Sequence, residues 1–187
     1  MIMMPIAGRH CEPLLRTLHA WLLLGGLCAL SPALADDPPA GFVTLDGAPA
    51  SFDAFRGQGR WLVVKIWASD CHVCNETAHE MVALSANRRQ DIQVLGIAVD
   101  GHDNRPGVLS FIERHALNYP TLLDDGHGAA RVYRRDVLQD WRGWTPTYLV
   151  YTPQGELVAQ NIGAVAESDV ARFVDSYRAK SAAGSGS

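Results

Sequence analysis

The sequence predicts an α/β fold, a mixed central β-sheet flanked by helices on both faces. Three observations predict it. Two apolar, β-branched runs, Trp61-Leu62-Val63-Val64-Lys65-Ile66 and Ile92-Gln93-Val94-Leu95-Gly96-Ile97-Ala98-Val99, read as buried strands. Each is followed by a segment of helical period, and repeated strand–helix units build parallel sheets. A strand opened by Pro146 and a return through Glu156-Leu157-Val158 then flank the turn Thr152-Pro153-Gln154-Gly155. That hairpin adds an antiparallel part to the sheet.

The elements follow in order. Phe42-Val43-Thr44-Leu45 alternates like a short strand, Asp46-Gly47 is a turn, and Ala48 to Ser51 returns, giving an N-terminal β-hairpin extension. Ser51 is placed to cap a helical turn through Phe55, and Gly57-Gln58-Gly59 breaks it before the central strand. From Asn75 to Asn87, Ala78, Met81, Val82 and Leu84 share helical spacing. Pro106 suits a first helical position, and Val108, Leu109, Phe111 and Ile112 make the stripe of a helix ending near Leu117. Thr121-Leu122-Leu123 is a brief strand, and Ala129 to Tyr133 a short helix. Ser168 or Asp169 caps a last helix whose Val170, Phe173, Val174 and Tyr177 share a face.

A chain of 187 residues, 48% hydrophobic and 19% charged, suits one globular domain. Its net charge of -4 gives no electrostatic reason to bind nucleic acid. Residues 1–35 read as a signal peptide. Arg9 and Arg16 precede an apolar core from Trp21 to Leu30, and Ala33-Leu34-Ala35 is a small-x-small site before Asp36. The core falls short of the ~20 residues of a spanning helix, which favours cleavage over a retained anchor and implies export to the periplasm. Residues 36–41, with Pro38 and Pro39, read as a linker, 42–180 as the domain, and 181–187 as a disordered tail.

Cleavage removes Cys11 and Cys28 and leaves Cys71 and Cys74. One close pair builds no disulfide framework. Its position is the informative part. Trp67-Ala68-Ser69-Asp70-Cys71-His72-Val73-Cys74 joins a strand to a helix, where unpaired N–H groups and the helix dipole favour a thiolate. The pair reads as a redox dithiol. A zinc site needs four ligands, and the mature chain has no second cysteine pair.

The element order, Trp67-x-x-x-Cys71-x-x-Cys74 and the Thr145-Pro146 that opens the hairpin resemble the thioredoxin superfamily. The resemblance is closer to its exported TlpA/ResA-like branch of thiol–disulfide oxidoreductases, and runs from Gly41 to Arg178. It implies a thioredoxin-like fold and a reaction without an organic cofactor. It also implies that Cys71 attacks a substrate disulfide and that Cys74 resolves the mixed disulfide. Pro146 would be the family's cis-proline, Thr145 would offer its backbone to a substrate strand, and Trp67 would pack beside the sulfurs. The partners implied are proteins with cysteines or disulfides. The branch mostly reduces apocytochrome or copper-site cysteines, so the resemblance implies a reductase supplied by a membrane electron donor.

Several positions depart from the pattern. Asp70 stands where many relatives carry a second tryptophan, and a carboxylate there opposes the thiolate. Lys65 occupies the place of a buried acid in thioredoxins proper. It is either a charge that favours thiolates or a lysine that snorkels from an edge strand. His72, between the cysteines, is read as a tuning residue against an exposed bystander. His79 replaces a helix-kinking proline. His102, His115 and His127 read as surface residues, and Trp141 and Trp144 as groove or core. The competing function is a copper(I) carrier using Cys71, Cys74, His72 and His79. His79 lies more than one turn beyond Cys74, which disfavours a shared metal, and no metal site is assigned.

Overall fold

A computed structural model describes residues 4–5, 41–124 and 126–184. Apart from residues 4–5 and 41, the signal-peptide and linker readings lie outside the described residues. The strands are β1 (Met4–Pro5), β2 (Phe42–Val43), β3 (Pro49–Ala50), β4 (Trp61–Trp67), β5 (Ile92–Ala98), β6 (Thr121–Asp124), β7 (Thr147–Tyr151) and β8 (Leu157–Ile162). They form one sheet in the order β1-β8-β7-β4-β5-β6-β2-β3. β4, β5 and β6 run parallel and the other pairings are antiparallel, so the sheet is mixed. The N-terminal hairpin β2–β3 extends the β6 edge.

The helices are α1 (His72–Glu76), α2 (Ala78–Asn87), α3 (Arg105–Arg114), α4 (Gly128–Val137) and α5 (Glu167–Gly184). β4 is buried at every residue, because both of its faces are covered. Its alternation survives in what each side chain meets. Val63 packs with Met81, Leu84, Val170 and Val174, under α2 and α5. Leu62, Val64 and Ile66 pack with Ala129, Val132 and Tyr133 of α4 and with Phe52.

Some boundaries differ from the sequence pattern. The helix after the cysteines is not continuous. Thr77 leaves helical geometry (φ -107°, ψ 14°) and its hydroxyl donates to the Val73 carbonyl at 2.7 Å, which divides α1 from α2. α3 stops at Arg114, and Ala116 turns the chain at φ 49°. α4 starts one residue earlier and ends four residues later than its apolar residues indicate; its start is fixed by the buried Asp124 carboxylate, which accepts from the N–H groups of Gly128 at 2.7 Å and Ala129 at 2.9 Å. Ser51 is extended but makes no side-chain cap. α5 continues to Gly184, so the segment from Ser181 to Gly184, read as disordered, is helical.

One row across the sheet positions the site. Asn161, Tyr148, Lys65, Gly96 and Thr121 are successive register partners from β8 to β6. All are buried, so a polar stratum crosses an apolar core. Lys65 sits at its middle, which corrects the edge-strand reading: β4 has β7 on one side and β5 on the other.

Gly96 has no room for a side chain. A methyl there would meet Thr121 Oγ1 at 2.7 Å, Trp67 Nε1 at 3.0 Å and Tyr119 Cε2 at 3.3 Å. Gly96→Ala is expected to destabilise by about 1–3 kcal/mol, the usual cost of overpacking. Urea unfolding should show a lower midpoint with an unchanged slope. A wild-type midpoint would mean that the row is looser than described.

Candidate active site

The C-terminal end of β4 delivers the chain to Cys71, the N-cap of α1, in extended conformation (φ -70°, ψ 116°). Its sulfur accepts the Cys74 N–H at 3.1 Å, so an open amide of the first turn already points at it. Cys71 and Cys74 are joined as a disulfide with Cα atoms 5.2 Å apart. Cys71 is half-buried and Cys74 wholly buried. β7 runs antiparallel to β4 with Ile66 opposite Thr147, which brings the preceding loop to the same end of the sheet. The Thr145–Pro146 bond is cis, and the Thr145 carbonyl oxygen lies 3.5 Å from Cys71 Sγ.

Beneath the sulfurs, Trp67 is buried, shares a cluster with Cys74 and Ala78, and stacks on Phe111 with ring centres 4.2 Å apart. Lys65, two residues earlier on the same face, is 1% exposed. Its ammonium donates to the Thr77 carbonyl at 3.4 Å, at the end of α1. Burial lowers its pKa to about 8, with Glu80 acting in the opposite direction through space.

The outer groups are differently placed. Asp70 is exposed. His72 is 85% exposed and lies 3.1 Å from Glu76 on the outer side of α1. His79 is also exposed and is paired with Glu80 at 3.2 Å. Among the described residues no three His, Cys, Asp or Glu side chains converge as a metal site. Trp144 is 54% exposed beside Thr145, whereas Trp141 is half-buried and donates to Thr147 Oγ1 at 3.3 Å. A cavity of about 360 Å³ lined by Trp61, Asp91, Tyr177 and Arg178 opens at the opposite end of β4. Cys71 is instead partly open to solvent, as thiol–disulfide exchange requires, and covers the buried Cys74.

Three residues to which the sequence reading assigned no role fix the loop. The Asp100 carboxylate accepts from the Ser69 N–H at 3.1 Å and from the Ser69 hydroxyl, and Asn104 donates to Ser69 Oγ at 3.1 Å. Asn75 Nδ2 donates to the Ser69 and Cys71 carbonyls at 3.2 and 2.9 Å. His115 is half-buried against Phe111 and hydrogen-bonds Asn75, so it is not the surface residue expected. A signal existed: His115, the C-cap of α3, lies four residues after Phe111 and seven after Val108 and so continues the helix's apolar stripe.

An N-cap sulfur, a buried sulfur one turn on and a proline loop beside them, on this sheet, define a class: a thioredoxin-like thiol–disulfide oxidoreductase. The chain belongs to the AhpC/TSA family, which matches residues 36–160. It is 24% identical over 146 residues to the thiol-disulfide oxidoreductase ResA of Halalkalibacterium halodurans, covering 78% of each chain. Among solved structures it resembles StoA from Bacillus subtilis (17% identity, TM-score 0.56, 72% of this chain and 97% of that one). A DsbF homologue from Corynebacterium diphtheriae is similar at 17% identity (TM-score 0.60, 74% and 85%). So is a secreted Mycobacterium tuberculosis disulfide oxidoreductase homologous to E. coli DsbE (21%, TM-score 0.53, 70% and 92%). At these identities the solved structures establish the shared fold, and together with ResA they fit the ResA-like branch that the motifs indicate.

Proposed function

We propose that this chain is exported to the periplasm, where it reduces disulfides in protein substrates and is re-reduced by a membrane electron donor. The observation that carries this reading is the asymmetry of the two sulfurs: Cys71 is half-buried at a helix start and Cys74 is fully covered. The Cys71 thiolate attacks one sulfur of a substrate disulfide, forming a mixed disulfide and releasing the other substrate sulfur as a thiolate. Cys74, as thiolate, then attacks Cys71 Sγ and releases the second substrate thiolate. Two electrons pass to the substrate, and the protein is left with the Cys71–Cys74 disulfide.

The Thr145 carbonyl, 3.5 Å from Cys71 Sγ, offers an acceptor to a substrate N–H, with Pro146 holding the loop. Lys65 tunes the couple from below. Asp70 and His72 are exposed to solvent, which screens their charges, so their effects are smaller. No helix among the described residues is long and apolar enough to cross a membrane. Processing of the leader is tested by the N-terminal sequence of the exported protein.

The direction of transfer is tested by equilibrating the protein with glutathione. A reductase is expected to have a potential close to about -270 mV, and a value close to about -120 mV would make the protein an oxidant.

A further inference from the structure

The Ser69–Cys71 segment is braced from two sides, and the brace on the helix side involves groups to which no role has been assigned. Asn75 is the fourth residue of α1 and turns its side chain back toward the start of the helix. Its two contacts with carbonyl oxygens, Ser69 at 3.2 Å and Cys71 at 2.9 Å, require the amide nitrogen to face them. The amide oxygen therefore faces α3, where His115 Nε2 lies 3.0 Å away and Arg114 Nη1 3.5 Å away. An acceptor at Asn75 requires a proton on His115 Nε2, which sets the imidazole tautomer. The ring is held in turn, with its centre 4.4 Å from that of Phe111, which stacks on Trp67. Burial, with the Arg114 and Lys65 charges, lowers the His115 pKa and favours the neutral ring.

We propose that Asn75 and His115 are positioning residues, a hydrogen-bonded pair that holds the Ser69 and Cys71 carbonyls and so keeps the Cys71 sulfur on the open end of α1. The proposal rests on the exchange reading of Cys71. Its physical basis is direct. The Cys71 thiolate draws stabilisation from the Cys74 N–H at 3.1 Å, which depends on the backbone angles of Cys71. The amide also gives the Ser69 carbonyl oxygen a donor, and gives a second one to the Cys71 carbonyl, which already accepts the Asn75 backbone N–H at 3.1 Å. His115 keeps the amide from flipping.

The test uses the reduced full chain with Asn75→Ala, His115→Leu and His115→Gln. The Cys71 pKa is read from the pH dependence of alkylation by iodoacetamide, and stability from urea unfolding. Asn75→Ala is expected to raise the Cys71 pKa by about one unit, the scale of one lost hydrogen bond, and to slow alkylation about tenfold below that pKa. His115→Leu should move it the same way by less, and His115→Gln, which keeps an N–H donor, should restore it. If Asn75→Ala does not fold, the two His115 variants decide the matter. A wild-type Cys71 pKa in Asn75→Ala and His115→Leu, or lost stability with no change in pKa, overturns the proposal. A wild-type protein that exchanges no disulfide overturns the reading beneath it instead, and the proposal falls with that reading.

Discussion

Lys65→Met is expected to stabilise the protein by about 3 kcal/mol at pH 7 while making its dithiol more reducing. The stability part follows from proton linkage. In the folded chain the Lys65 pKa is lowered from 10.5 to about 8, chiefly by burial. The unfolded chain therefore holds this proton more tightly, and wild-type stability should rise as pH climbs through the window from about 8 to 10.5. Below that window the full cost of the buried cation is present, about 3 kcal/mol at 1.36 kcal/mol per pKa unit. Methionine has a similar volume and carries no charge, so the variant should lose that slope. Urea unfolding from pH 7 to 10 measures it, and parallel pH profiles for the two proteins would refute the assignment.

The redox part has its own sign. Oxidised Cys71 and Cys74 carry no charge, whereas the reduced pair carries thiolate. A cation near Thr77, ~5 Å of helix rise beyond Cys74, therefore stabilises the reduced form. At an effective dielectric near 20, charges about 6–8 Å apart interact by about 2–3 kcal/mol. On a two-electron couple that is about 50 mV, so Lys65→Met should shift the potential negative by about that much. A lysine that costs stability and returns it as thiolate character has a reason to sit in a core. Without a shift in potential, Lys65 would have only a structural account.

The order of strands and helices was legible because it depends on local periodicity. Trp61 to Ile66 and Ile92 to Val99 show no polar face to solvent, and Cys71 precedes a helix in plain view. What lay hidden depends on contacts between distant segments. Lys65 was visible as a charge in an apolar run, but only the strand order puts it at the centre of the sheet. Asn75 and His115 are 40 residues apart, and Ser69 and Asp100 are 31 apart, so no local pattern pairs them. The break at Thr77 interrupts a continuous apolar stripe and arises from one hydroxyl turned onto the Val73 carbonyl. His115 reads as a surface residue because it stands beside a loop, although its spacing from Phe111 and Val108 continues the stripe.

Cys71→Ser is expected to reduce exchange with insulin or glutathione to the uncatalysed background, whereas Cys74→Ser should keep the first step and lose the second. The difference follows from access. Cys71 alone is partly open, and Cys74 is wholly buried behind it, so a substrate disulfide meets Cys71 first. Without Cys74 no other cysteine in residues 36–187 attacks the mixed disulfide, and a covalent adduct should accumulate. It would appear as a mass increase equal to the bound partner and disappear on treatment with dithiothreitol. The same variant offered an extract of exported proteins becomes a trap, and the partners it holds report the substrate class directly. Full turnover by Cys71→Ser would remove the nucleophile from the scheme. Full turnover by Cys74→Ser, with no adduct, would mean that external thiols resolve the mixed disulfide and that the buried sulfur serves another end.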